Sequence, residues 1–191
     1  MRSKNDVLMA IAKDEWMLDV IRTVETLKLP DWWICAGFVR SKVWDSLHDY
    51  AERTQLGDID VIYYDKDNLD EAMEKEYEHQ LRLKIPELPW SVKNQARMHE
   101  INNIKPYSSS VDAISRFPET ATALGVRLGA RGKLELTAPH GLEDILAMKV
   151  RPTPAFESDE QLMKTYRQRL VSKDWTQKWP KLQVFNKNDE L

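Results

Sequence analysis

Residues 32–65 read WWICAGFVRSKVWDSLHDYAERTQLGDIDVIYYD, and this stretch decides the fold. Trp32–Ala36 is short, apolar and bulky, which predicts a buried strand. Gly37 follows as a turn, with a positive φ as the plainest reading. Phe38, Val39, Val43, Trp44, Leu47 and Tyr50 then recur at helical spacing. Ile59–Tyr64 is β-branched and aromatic, a second strand. Its approach carries Asp58 and Asp60. Residues i and i+2 of a strand share a face, about 6–7 Å apart at Cα. Two carboxylates therefore project together beside a turn whose small residues let a ligand approach the backbone. The helix after that turn offers free N–H groups and a positive dipole end to a phosphate.

Periodicity predicts an N-terminal helix over 5–28, stopped by Pro30. Further on, it predicts a charged helix at Asp65–Leu83 and a third strand at Trp90–Met98. A short helix near Ser110–Phe117 follows, then a hairpin from Val126–Leu128 and Lys133–Thr137. Helices at Leu142–Met148 and 158–174 complete the pattern. Strands and helices mix throughout, so the class is α+β (mixed α/β): a small mixed sheet flanked by helices. One domain spans 1–185, with a core at 32–150, a C-terminal helical segment at 155–185 and a tail at 186–191.

The composition, 42% hydrophobic and 31% charged, is that of a globular chain with a sizeable core. No apolar run approaches the ~20 residues of a membrane span, and the first residues lack signal-peptide features. The one cysteine, Cys35, cannot form an intrachain disulfide; together these point to the cytoplasm. The net charge is −3, but residues 1–78 carry −8 and 79–153 carry +4. This balance speaks against a module that grips structured RNA through broad basic charge. Without a His/Cys cluster or a nucleophile elbow, zinc and serine-hydrolase chemistry are disfavoured.

Asp58 and Asp60 suit Mg²⁺ (or Mn²⁺), which takes oxygen ligands and keeps positions open for phosphate. Phosphate contacts are expected at the head of the helix, from Ala36, Gly37, Phe38, Arg40 and Ser41. If 90–98 is a strand, alternation puts Lys93, Gln95, Arg97 and His99 on one face as a substrate wall, with Lys93 or Arg97 meeting phosphate. His48 and His79 are expected at the surface or its boundary, and His140 in a turn.

The pattern small–Gly–x–Val–Arg, helix, then Asp-apolar-Asp resembles the DNA polymerase β-type nucleotidyltransferase superfamily. The chain resembles more closely a family of uncharacterised bacterial nucleotidyltransferase-like proteins, on four further segments. These are Trp90–His99, Phe117–Thr122, Ala138–Asp144 and Val150–Pro152, and the resemblance covers roughly residues 5–185. It implies a polymerase β palm-like fold and transfer of a nucleoside monophosphate from a nucleoside triphosphate to a hydroxyl on a small molecule, a protein or an RNA. Ala36 and Gly37 match the turn that backs the triphosphate, and Asp58 and Asp60 match the metal-binding carboxylates. The superfamily often carries a third carboxylate on a later strand. Its place falls within Ser91–Gln95, where no acid stands and Asn94 is the expected occupant. An amide cannot take a proton as a carboxylate does. Glu135 on the next hairpin is a possible substitute. The second reading is thus a catalytically weak or inactive member of the fold that binds nucleotide or protein.

Overall fold

The computed structural model of the chain describes residues 1–102 and 104–186. Two helices come first, α1 (Lys4–Ala12) and α2 (Glu15–Glu25). One helix was expected over 5–28. It breaks at Asp14, whose carboxylate accepts the Met17 N–H at 3.1 Å and so starts a new helix. Apolar periodicity runs through the break because both helices bury one stripe in the same core.

Next come β1 (Trp33–Cys35), α3 (Gly37–Leu47), β2 (Ile59–Tyr63) and α4 (Glu71–Lys84). The charged helix begins at Glu71 rather than Asp65, because Asp70 caps it by accepting the Ala72 N–H. β3 (Trp90–Asn94) then gives way to α5 (Gln95–Asn102), so the strand expected over 90–98 ends four residues early. The rest is α6 (Ser110–Ser115), β4 (Gly125–Leu128), a 3-10 turn, β5 (Leu134–Thr137), α7 (Glu143–Leu146), β6 (Lys149–Val150), α8 (Pro154–Glu157), α9 (Glu160–Lys173), α10 (Trp175–Lys178) and β7 (Gln183–Val184). Past Asn186 the expected tail lies outside the described residues.

Five strands form one mixed sheet in the order β3-β2-β1-β4-β5, parallel only between β2 and β3. Ile34, Ile59, Val61, Tyr63, Val92 and Val126 face the main core with α2 and α3. Trp33, Cys35 and Ile62 face the other way, over a smaller cluster with Ile114 and Ala123. β6 and β7 pair in a separate ribbon that brings the chain's end back to its middle.

That end is clasped to α3. Trp179 donates its indole N–H to Asp45 at 2.7 Å, and Tyr50 donates its hydroxyl to the Lys178 carbonyl at 2.7 Å. The Lys181 N–H donates to His48 Nε2 at 3.1 Å. His48 is therefore buried in this clasp, not placed at the surface as its helical position suggested. Trp44 meets Trp175 and Trp179 edge-on at 5.8 and 5.1 Å.

The outer edge of β3 is closed by carboxylates. Glu78 accepts the Val92 N–H at 3.1 Å and Glu74 accepts the Asn94 N–H at 2.9 Å. The edge thereby loses the unpaired donors that invite another strand. Burial alone would raise the Glu74 pKa, but hydrogen bonds from Arg97, the Asn94 N–H and Lys93 overcome it and hold the carboxyl low.

The turn from β1 into α3 is strained. Ala36, not Gly37, takes the positive φ, at φ 50° and ψ −116°. An L-residue with a β-carbon visits that region only where the surroundings force it.

Two outcomes follow from these features. Glu74→Ala leaves an edge N–H and two cations without their partner, so urea unfolding should show a loss of about 3 kcal/mol. Because the folded-state pKa of Glu74 lies below the unfolded one, its contribution is complete above the unfolded value and fades as pH falls through the folded one. The acid limb of the parent's stability profile should therefore flatten in the variant. Ala36→Gly should relieve the strain, offset in part by the entropy of glycine, for a net gain of about 1 kcal/mol and a Tm rise of about 2–4 °C. A Tm below the parent's would contradict that account of the turn.

Candidate active site

β1 and β2 pair antiparallel, Trp33 with Ile62 and Ile34 with Val61. One step further this register sets Cys35 opposite Asp60 and runs the Ala36–Gly37 turn past Asp58. On the other side of Asp60, the parallel register with β3 places Ser91. Cys35, Asp60 and Ser91 thus form a row across three strands on one face. Asp58 is exposed just before β2 and Asp60 is partly buried. Neither carboxylate has a hydrogen bond or ion pair among the described residues.

Burial, then the charge of Asp58, pushes the Asp60 pKa up to about 6, against the pull of Lys173, Arg40 and Arg169. Burial, helped by Asp60, also pushes the Cys35 thiol well up, so it stays a neutral thiol in the row. Two unpaired carboxylates on one face suit a hard cation that takes oxygen ligands. Among the described residues no group of three or more His, Cys, Asp or Glu is gathered to hold a metal. An ion here would take its other ligands from phosphate oxygens and water.

Arg40 stands over the turn. Its Nη2 is 3.5 Å from where a Gly37 β-carbon would be, and its guanidinium lies 4.6 Å from Trp175, 5.2 Å from Trp44 and 5.8 Å from Trp179. Burial lowers its pKa to about 10, with Glu119 pulling it back up, Arg169 pushing it down, and Asp58 and Asp60 pulling it up. Its Nε is buried without a hydrogen-bond partner, and the guanidinium forms no ion pair among the described residues.

The expected site residues divide into two groups. Ala36, Gly37, Phe38, Arg40 and Ser41 all lie at the head of α3 beside Asp58 and Asp60. Phe38 and Ser41 are buried. The β3 group is placed differently. With 95–102 helical, Lys93, Gln95, Arg97 and His99 do not share a strand face. Lys93 and Arg97 are bound to Glu74, at 3.1 and 2.7 Å. Asn94 is 1% exposed and points away from Asp60. Its amide donates to the Asp65 and Asn68 carbonyls and accepts the Asp65 and Ala96 N–H groups, so it ties the β2–α4 loop to β3. The residue beside Asp60 on β3 is Ser91 instead. Glu135 is engaged by Arg127 at 2.8 Å. His140 bonds the Ser115 carbonyl at 2.7 Å.

Three charged neighbours escaped the sequence. Glu119 is wholly buried, accepts Arg169 Nε at 2.8 Å and Nη2 at 3.3 Å, and accepts the Thr122 hydroxyl at 2.7 Å. Lys173 stands one helical turn beyond Arg169 on α9. The segments Phe117–Thr122, Ala138–Asp144 and Val150–Pro152, distant in sequence, meet around Glu119. Thr120 donates to Asp144 at 2.8 Å, the Thr153 N–H to the Pro118 carbonyl, and Glu119 bridges Pro152. An open cleft of about 690 Å³, lined by Trp16, Arg53, Leu56, Gly57, Ile59 and Lys178 among others, adjoins the approach to Asp58.

The comparisons with known proteins agree with this geometry. A family model described as nucleotidyltransferase matches residues 22–184. A solution NMR structure described as revealing a CCA-adding enzyme head domain is 38% identical, with 97% of each chain covered and a TM-score of 0.88. A CCA-adding enzyme in an apo form shares the fold at 14% identity and a TM-score of 0.59, covering 95% of this chain and 43% of that one. Another, in complex with ATP, does so at 14% identity and a TM-score of 0.56, covering 93% and 42%. No curated protein sequence matches. The sheet is that of a polymerase β-type nucleotidyltransferase, and the chain belongs to the nucleotidyltransferase family whose model it matches.

Proposed function

We propose that this protein is a metal-dependent nucleotidyltransferase that moves a nucleoside monophosphate from a nucleoside triphosphate to a hydroxyl on a small molecule, a protein or an RNA. The observation that carries this reading is the Asp58–Asp60 pair, uncompensated among the described residues and set against the turn at the head of α3. In the reaction the acceptor oxygen bonds to the α-phosphorus as the bond from that phosphorus to the bridging oxygen breaks. The electron pair leaves with pyrophosphate, and the acceptor proton passes to water. Asp58 and Asp60 would hold Mg²⁺ or Mn²⁺, which would supply positive charge to the phosphate oxygens. The α3 backbone orients the phosphates, and Arg40 answers charge that grows toward the leaving group.

Ser91 and Asn94, where a third carboxylate is usual, favour the second reading: a protein that binds nucleotide with little or no turnover. The two readings part at labelled nucleotide transfer into a cell extract, which only the first predicts.

Thermal denaturation with each nucleoside triphosphate, with and without Mg²⁺, tests the site. The parent should be stabilised only when both are present, by about 2.7 kcal/mol at a hundredfold excess over Kd. Asp58→Asn/Asp60→Asn removes like-charge repulsion and a buried charge. Without ligand it should be more stable than the parent, by about 1 kcal/mol, and it should lose the metal-dependent shift. Transfer retained by that variant would refute the assignment. A β-carbon at Gly37 meets only ordinary contact in the protein. Gly37→Ala should therefore leave the Tm nearly unchanged while weakening nucleotide binding about tenfold or more, because phosphate occupies that space.

A further inference from the structure

Arg40 on α3 and the pair Arg169 and Lys173 on α9 belong to elements far apart in sequence. The Arg40 guanidinium lies 4.6 Å from the ring of Trp175, two residues past Lys173. Glu119, which holds Arg169, lies five residues before Leu124, whose carbonyl accepts the Ala36 N–H of the α3 turn at 3.1 Å. We propose that these three cations are the seat of the triphosphate tail, so that the C-terminal helix α9, not β3, supplies most of its counter-charge. The inference rests on the nucleoside-triphosphate reading above and adds the residues that hold the tail.

Arg40 is fixed by three tryptophan rings, two of them, Trp175 and Trp179, from the C-terminal segment, and holds no carboxylate. A guanidinium clamped in place over a helix head, with its donors uncommitted, suits phosphate oxygens. Arg169 uses Nε and Nη2 on Glu119 and keeps its remaining donors. That contact orients the side chain in the way a packed support orients a ligand-binding group. Lys173, four residues on, is exposed and has no ion pair among the described residues. Lys93 on β3 and Arg97 on α5 both pair with Glu74 on α4. A ligand with one negative group would not need three cations, and the adjacent carboxylates would repel it. A polyphosphate that arrives with a divalent ion meets both halves of the site.

Inorganic tripolyphosphate with Mg²⁺ is the probe, titrated into the full chain by calorimetry. The parent should bind it. Arg40→Gln should weaken binding about tenfold or more and Lys173→Gln about threefold to tenfold. Arg169→Gln alone strands buried Glu119, so the double variant Glu119→Gln/Arg169→Gln is used, with circular dichroism to confirm folding, and it should also bind about tenfold more weakly. Lys164→Gln, an exposed charge on the same helix, should stay within about twofold of the parent. The seat is overturned if the parent does not bind tripolyphosphate, or if Lys164→Gln and Lys173→Gln weaken it equally. MgATP binding that needs Asp58 and Asp60 yet ignores Lys173→Gln would overturn the seat and leave the transferase reading standing. Binding of tripolyphosphate by a parent that takes no nucleoside triphosphate would do the reverse.

Discussion

Buried negative charge is the constraint on which this molecule is organised. A carboxylate withdrawn from water must be paired or hydrogen-bonded, or it destabilises the fold by several kcal/mol. Glu74 takes Lys93, Arg97 and an edge N–H; Glu78 takes Lys75, Arg82 and another. Glu119 takes Arg169, and Asp45 takes Thr54 and Trp179. Asp14 takes Lys42 and Arg53 while it starts a helix. Each of these carboxylates joins two pieces of the fold; Glu78 does so through the Val92 N–H, since Lys75 and Arg82 share its helix. Asp60 is the partly buried acid left without a direct partner among the described residues, and exposed Asp58 adds repulsion beside it.

That contrast separates paired acids from unpaired ones, and it explains which placements the sequence could and could not reveal. Asp58 and Asp60 were legible because a strand start is a local pattern: two residues apart, apolar between, a β-branched run after. The α3 turn was legible for the same reason, although Ala36, not the glycine, carries the unusual backbone. The pairing of Lys93 and Arg97 with Glu74 was not legible, because Glu74 lies on another element. Alternation along 90–98 assumed a strand that becomes α5 after Asn94, where the Asn94 amide bonds the Ala96 N–H and the chain turns into helix. Nothing in a short polar run distinguishes those outcomes before the neighbouring helix is placed.

Glu119, Arg169 and Lys173 were hidden by distance. In the α9 sequence four bases look alike, and only docking on the Val150–Pro152 segment decides which of them turn toward the sheet. The family-like segments Phe117–Thr122, Ala138–Asp144 and Val150–Pro152 gave a usable signal whose meaning was missing. They form one polar knot around Glu119. A knot of that kind holds Arg169 where packing alone would leave a long side chain free.

Three departures from local preference meet at the head of α3. Ala36 sits in a glycine-like conformation, Asp58 and Asp60 repel each other, and Arg40 is buried with an unpartnered Nε. Elsewhere caps, edge and core agree with one another, as a well-specified fold requires. The scaffold that tolerates these costs is the tryptophan clasp, which holds α10 on α3, and the Glu119 knot under α9. A divalent ion between the carboxylates would remove their repulsion, and a polyphosphate would give Arg40 its missing acceptors. Under the proposed reading, nucleotide binding and folding stability would be coupled through the same few residues. Substitutions that relieve these costs should raise stability as they lower affinity, whereas substitutions in the clasp or the knot should lower both.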